Sequence, residues 1–113
     1  MDPNPVRFHN RFMDSVEDRD MKIAFGKRLR ALRIAAGFPV QRRFAEALGH
    51  EASSKLNQWE KGGKQPDMTE IGKIVRLTNA SVDWLFFGNP ALMPYGLMRE
   101  IEAVLEADRT KTE

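Results

Sequence analysis

Gly37, Gly49 and Gly88 each close a stretch of sequence whose apolar residues recur every three or four positions. That period belongs to helices with one buried face. Glycine is the residue best able to take the left-handed backbone that ends such helices. No stretch of strand length alternates apolar and polar residues, so the chain is expected to be all-α.

Read from the N-terminus, Asn4-Pro5 suits a cap followed by proline in the first helical turn. Phe8, Phe12 and Val16 then recur every four residues, which predicts a short helix ending near Glu17. A second helix is expected from about Met21 to Ala36, with Phe25, Leu29, Leu32 and Ala36 as its stripe. Beyond Gly37 and Pro39, Val40 to Leu48 turns Phe44, Ala45 and Leu48 to one side. About Ala52 to Glu60 does the same with Ala52, Leu56 and Trp59. The stretch Asp67 to Thr78 is expected to bury Met68, Ile71, Ile74 and Val75. Ser81 caps a last short turn over 82–87, with Val82, Leu85 and Phe86 inward. A proline-bearing linker leads to a final helix from Pro94 to Asp108. Its stripe is Leu97, Ile101, Val104 and Leu105, and Glu100, Glu102, Glu106 and Asp108 fill its outer face. Three segments follow: an N-terminal helical extension over 1–20, a central domain over 21–88, and a linker and amphipathic helix over 89–113.

At 113 residues the chain has material for one modest core. It has no cysteine, which excludes disulfides, thiol catalysis and Cys-ligated zinc. His9 and His50 are its only imidazoles, so neither a metal site nor a cofactor is expected. No apolar run approaches the ~18–20 residues of a membrane span, and the N-terminus lacks a signal-peptide core. A protein of the reducing cytoplasm, with no membrane partner, is the expectation.

The net charge is only +2, but it is unevenly spread. From Met21 to Pro66, ten basic residues stand against three acidic ones, a local balance of +7. The two terminal segments carry −2 each. Such a basic block is the footprint of a surface that meets phosphates, or equally of ordinary solvated helix faces; charge alone does not decide.

Two short helices joined by a glycine turn are what a helix-turn-helix requires. Ala45, four residues before Gly49, is the small residue needed where the second helix crosses the first. Leu56 and Trp59 would tie that second helix to the core, leaving its N-terminal half free for a major groove. From about Ile23 to Gly88 the chain resembles the Cro and phage-repressor (Xre) type of helix-turn-helix domain. The resemblance rests on five stretches in order: GKRLRALRIAAGF, QRRFAEALG, KLNQWEKG, QPDMTEIGKIV and SVDWLFFG. It implies a five-helix domain, here with extra N- and C-terminal helices, that binds double-stranded DNA.

Residue roles follow from the resemblance. Ser53, Ser54 and Gln58 match recognition-helix positions that meet base edges. Glutamine pairs bidentately with adenine, whereas either serine would serve equally as the helix N-cap. Gln41 matches the glutamine that opens the first motif helix and reaches both a phosphate and the recognition helix. Arg42, Lys55, Lys61, Gly63 and Lys64 are phosphate contacts on this reading, the loop from Lys61 to Pro66 being glycine-rich and basic. Arg33 and Glu60 match a partly buried pair whose role is structural. Trp59 and Trp84 sit at core spacings, and His50 reads as a bystander in the turn.

The sequence also departs from the family. The stretch Gly37-Phe38-Pro39-Val40-Gln41 and the turn Gly49-His50-Glu51-Ala52 are each one residue longer than usual, and the second bears on where the recognition helix begins. Glu51 would also repel phosphate unless it caps the helix or points away.

The expected function is a sequence-specific transcriptional regulator, a phage- or prophage-type repressor reading a palindromic operator as a homodimer. Leu97, Ile101, Val104 and Leu105 are its self-association candidates, and the same stripe would equally serve to fold back on its own domain. The alternative is an antitoxin-like module that binds a toxin and its own promoter. No enzyme is expected: the 25 residues after Gly88 are too few for the self-cleaving serine-lysine protease domain of larger phage repressors. If the chain is a repressor, relief would come through another route, such as an antirepressor.

Overall fold

The computed structural model describes the backbone of residues 5–111 and the side chains of residues 16–111. Among these residues the chain forms six helices and no strand. They are α1 (Pro5–Ala35), α2 (Gln41–Ala47), α3 (Ser54–Lys61), α4 (Met68–Thr78), α5 (Val82–Phe87) and α6 (Tyr95–Lys111). No described helix is long and apolar enough to cross a membrane.

The first helix departs from expectation, because one helix of 31 residues replaces the two that were predicted. Nothing between Glu17 and Met21 breaks a helix: there is no glycine or proline. Asp18 and Lys22 also pair across one turn at 3.2 Å. The Asn4 cap and the side chains of Phe8 and Phe12 lie outside the described residues.

The C-terminal half of α1 is the spine of the core. Phe25, Leu29 and Leu32 are buried against Phe44 and Leu48 of the α2 region, Leu56 and Trp59 of α3, Ile74 of α4 and Leu85 of α5. Burying such a side chain stabilises the fold by about 1.5–3 kcal/mol. Gly26 lets α1 cross the C-terminal end of α3 at close range. A Cβ there would stand 2.7 Å from the Trp59 carbonyl oxygen, and closer still to that of Glu60.

Local chemistry sets most helix ends. Gly37, Gly49 and Gly88 all have positive φ, as their stop positions require. Asp67 Oδ1 accepts from the Glu70 amide at 2.9 Å and caps α4, while Ser81 Oγ accepts from Trp84 at 3.0 Å and caps α5. At the other end of α5, Arg28 donates to the carbonyls of Leu85 and Phe86 at 2.8 and 2.9 Å. Those bonds tie α5 to α1, and burial lowers the Arg28 pKa.

Three expected core residues are on the outside. Met68 is 88% exposed and Val82 is 47% exposed. Each is the first residue of its helix, and the inward faces begin later, at Ile71 with Ile74 and at Trp84 with Leu85. Ala52 is also exposed and precedes α3.

Of the two roles open to the C-terminal stripe, the folded chain adopts the internal one. Ile101 is fully buried, and Leu97, Val104 and Leu105 pack against the core. Asp108 pairs with Arg30 of α1. Leu97, Val104 and Leu105 are only partly buried by this packing, whereas Ile101 is wholly enclosed.

Candidate nucleic-acid interface

Helices α2 and α3 form the expected helix-turn-helix, but the longer turn moves the start of the second helix. It begins at Ser54 rather than near Ala52. Ser53 occupies the N-cap position, and its side chain makes no capping hydrogen bond. The capping role left open for that serine is thus not taken up.

The extra turn residue has a place in the structure. The His50 amide donates to Ala45 O at 2.9 Å, and its ring Nε2 lies 2.9 Å from Glu70 Oε1 of α4. The same ring meets Trp59 edge-on at 5.9 Å. His50 is therefore an anchor between the turn, α3 and α4, not a bystander. Glu51 is exposed beside it.

Behind α3 lies the ion pair implied by the resemblance. Arg33 Nε donates to Glu60 Oε2 at 2.7 Å, and both side chains are only 5% exposed. The remaining guanidinium nitrogens donate to Glu60 Oε1 at 3.2 Å and to the Phe38 carbonyl at 2.8 Å. Gln41 joins this group, its Nε2 donating to Glu60 Oε1 at 2.9 Å and to Asn57 Oδ1 at 3.4 Å. Gln41 thus reaches the recognition helix, and its amide protons are spent there.

With Leu56 and Trp59 buried, the opposite face of α3 is turned to solvent. Ser54, Lys55, Gln58 and Lys61 are exposed on it, and Asn57 is half-buried at its margin on the side of Gln41. Arg42 and Arg43 are exposed on α2 and pair loosely with Glu46 at 3.4 and 3.7 Å. Sequence reasoning passed over Asn57; its link to a glutamine 16 residues away is not visible in local periodicity.

The loop after α3 is arranged differently from expectation. The amides of Gly62, Gly63 and Lys64 donate back to Trp59 O and Gln58 O at 3.0–3.4 Å. The free carbonyls at the end of α3 claim them. Gly63 therefore does not offer its amide to a phosphate, and the basic character of the loop rests on the exposed Lys61 and Lys64.

Between α3 and the start of α4 is an open cleft of about 380 Å³. Ser54, Lys55 and Gln58 line it from α3, and Lys64 and Gln65 line it from the loop. Gln65 Nε2 is buried and has no hydrogen-bond partner among the described residues.

An uncapped, polar and basic helix face held on a packed helical body defines a DNA-binding helix-turn-helix protein. The helix-turn-helix family model matches residues 29–85, half of the chain, running from the core half of α1 through α5. The chain belongs to this Xre/Cro-type helix-turn-helix family of double-stranded-DNA-binding transcription regulators. Comparison with curated proteins and with solved structures gives no significant match.

Proposed function

We propose that this regulator is a repressor of the phage type, which binds a palindromic operator as a dimer with α3 in the major groove. The observation that carries this reading is the outward face of α3. Ser53 spends no hydroxyl on capping, and Ser54 and Gln58 are exposed between the cations Lys55 and Lys61. Ser53, Ser54 and Gln58 meet base edges. Arg42, Lys55, Lys61 and Lys64 hold the sugar-phosphate strands, and the unpartnered Gln65 amide joins them.

One such domain reads only a short half-site, so selectivity calls for two. With the α6 stripe occupied internally, the uncovered apolar groups at the α5–α6 junction are the support for a dimer surface. Phe87 is 70% exposed, and Leu92 and Tyr95 are each 77% exposed.

Selection of bound duplexes from a random pool tests this reading. The expected product is an inverted repeat, and sedimentation should give a dimer that Phe87→Glu dissociates. A pool with no enriched motif overturns DNA reading. A motif without a repeat, bound by a monomer, overturns the dimer.

A further inference from the structure

Two side chains of α4 hold the turn before α3 from behind. Glu70 Oε1 lies 2.9 Å from His50 Nε2, and Lys73 donates to the Leu48 carbonyl at 3.4 Å. Lys73 also stands 3.7 Å from the other Glu70 oxygen, and the Asp67 cap fixes the Glu70 amide. The ring of His50 completes the link by meeting Trp59 of α3 edge-on. Past His50 the hold ends: Glu51 and Ala52 are exposed, and Ser53 makes no side-chain cap to α3. The first turn of the recognition helix is thus placed by the buried Leu56 and Trp59 on one side and by His50 on the other. His50 also stands in the turn that is one residue longer than the family's.

We propose that His50 is a positioning residue for base reading, its bond to Glu70 setting the angle at which the first turn of α3 meets the groove. This rests on the proposal that α3 enters the major groove. Hydrogen bonds to base edges are short and directional, so a displacement of about 1 Å at the start of α3 breaks them. Lysine contacts to phosphate tolerate the same displacement, because the ammonium is a point charge on a flexible stem. Freed from Glu70, α3 rocks about the buried Leu56 and Trp59. Ser53 and Ser54 then move most, and Gln58, next to Trp59, moves least.

Duplex selection with the wild type, His50→Ala, His50→Gln and Glu70→Ala tests the idea. His50→Ala should lower discrimination about tenfold at the bases met by Ser53 and Ser54, while the base met by Gln58 and the salt dependence of affinity hold. Glu70→Ala, made on α4, should lose discrimination at the same bases, and it serves alone if His50→Ala does not fold. His50→Gln, whose Nε2 still donates to Glu70, should restore discrimination. A ring needed only for stability would lower the folded fraction and weaken every sequence by the same factor. The inference is overturned by such a uniform loss, or by an unchanged motif in either alanine variant. It is also overturned if His50→Gln is as indiscriminate as His50→Ala. Any of these outcomes sinks this inference alone, whereas no wild-type motif at all sinks the major-groove reading with it.

Discussion

The ring Nε2 of His50 and the Oε1 of Glu70 lie 2.9 Å apart, binding the turn before the recognition helix to the first turn of α4. Both side chains are only 15% exposed, so water competes weakly for either group. Replacing His50 with alanine is expected to cost about 1–2 kcal/mol. A cycle of His50→Ala and Glu70→Ala in urea unfolding should show a coupling of about 1 kcal/mol. Strict additivity would mean that the contact contributes nothing.

Arg33 and Glu60 make a different case, because their separation leaves a charge buried with no counterion. Either Arg33→Met or Glu60→Met should lose about 3–5 kcal/mol. The double replacement should recover much of that loss, since apolar groups of similar volume satisfy a dry site. Thermal unfolding of the three variants checks the order. A double variant less stable than both singles would refute it.

Gln65 is expected to separate stability from binding. Its buried Nε2 finds no acceptor among the described residues, so Gln65→Leu should stabilise the free protein by about 1 kcal/mol. The same change should weaken DNA of every sequence alike. Unfolding and binding measured on one preparation would reveal the opposite signs.

Lys64 is exposed on the loop after α3, where the backbone amides are already engaged. Lys64→Ala should reduce the slope of log affinity against log salt by about one unit without altering base preference. A change of preferred sequence with an unchanged slope would assign Lys64 to base reading instead.

What could be read from the chain beforehand divides along the range of the forces involved. Stops at Gly37, Gly49 and Gly88 and the cap at Ser81 depend on one residue and its immediate neighbours, and they appear where periodicity places them. Packing of Trp59 and Trp84 follows from helical spacing in the same way. The role of His50 depends on a carboxylate 20 residues away, and the contact of Asn57 is with a glutamine 16 away, so neither has a local signature. Composition alone points the amides of the Lys61–Pro66 loop at a phosphate. The helix end just before them is a nearer set of acceptors, and proximity decides. The two predicted N-terminal helices are one for a related reason. A change in apolar pattern does not interrupt a backbone that contains no breaker.

The continuity of α1 has a mechanical side. A helix of 31 residues is about 46 Å long, and Pro5 stands about 32 Å along its axis from Gly26. The near half is gripped at Gly26, where it bears directly on the last carbonyls of the recognition helix. Load applied near Pro5 would arrive at α3 as leverage, with the glycine crossing as fulcrum. A grip on the outer end could thus tilt the reading head without touching it.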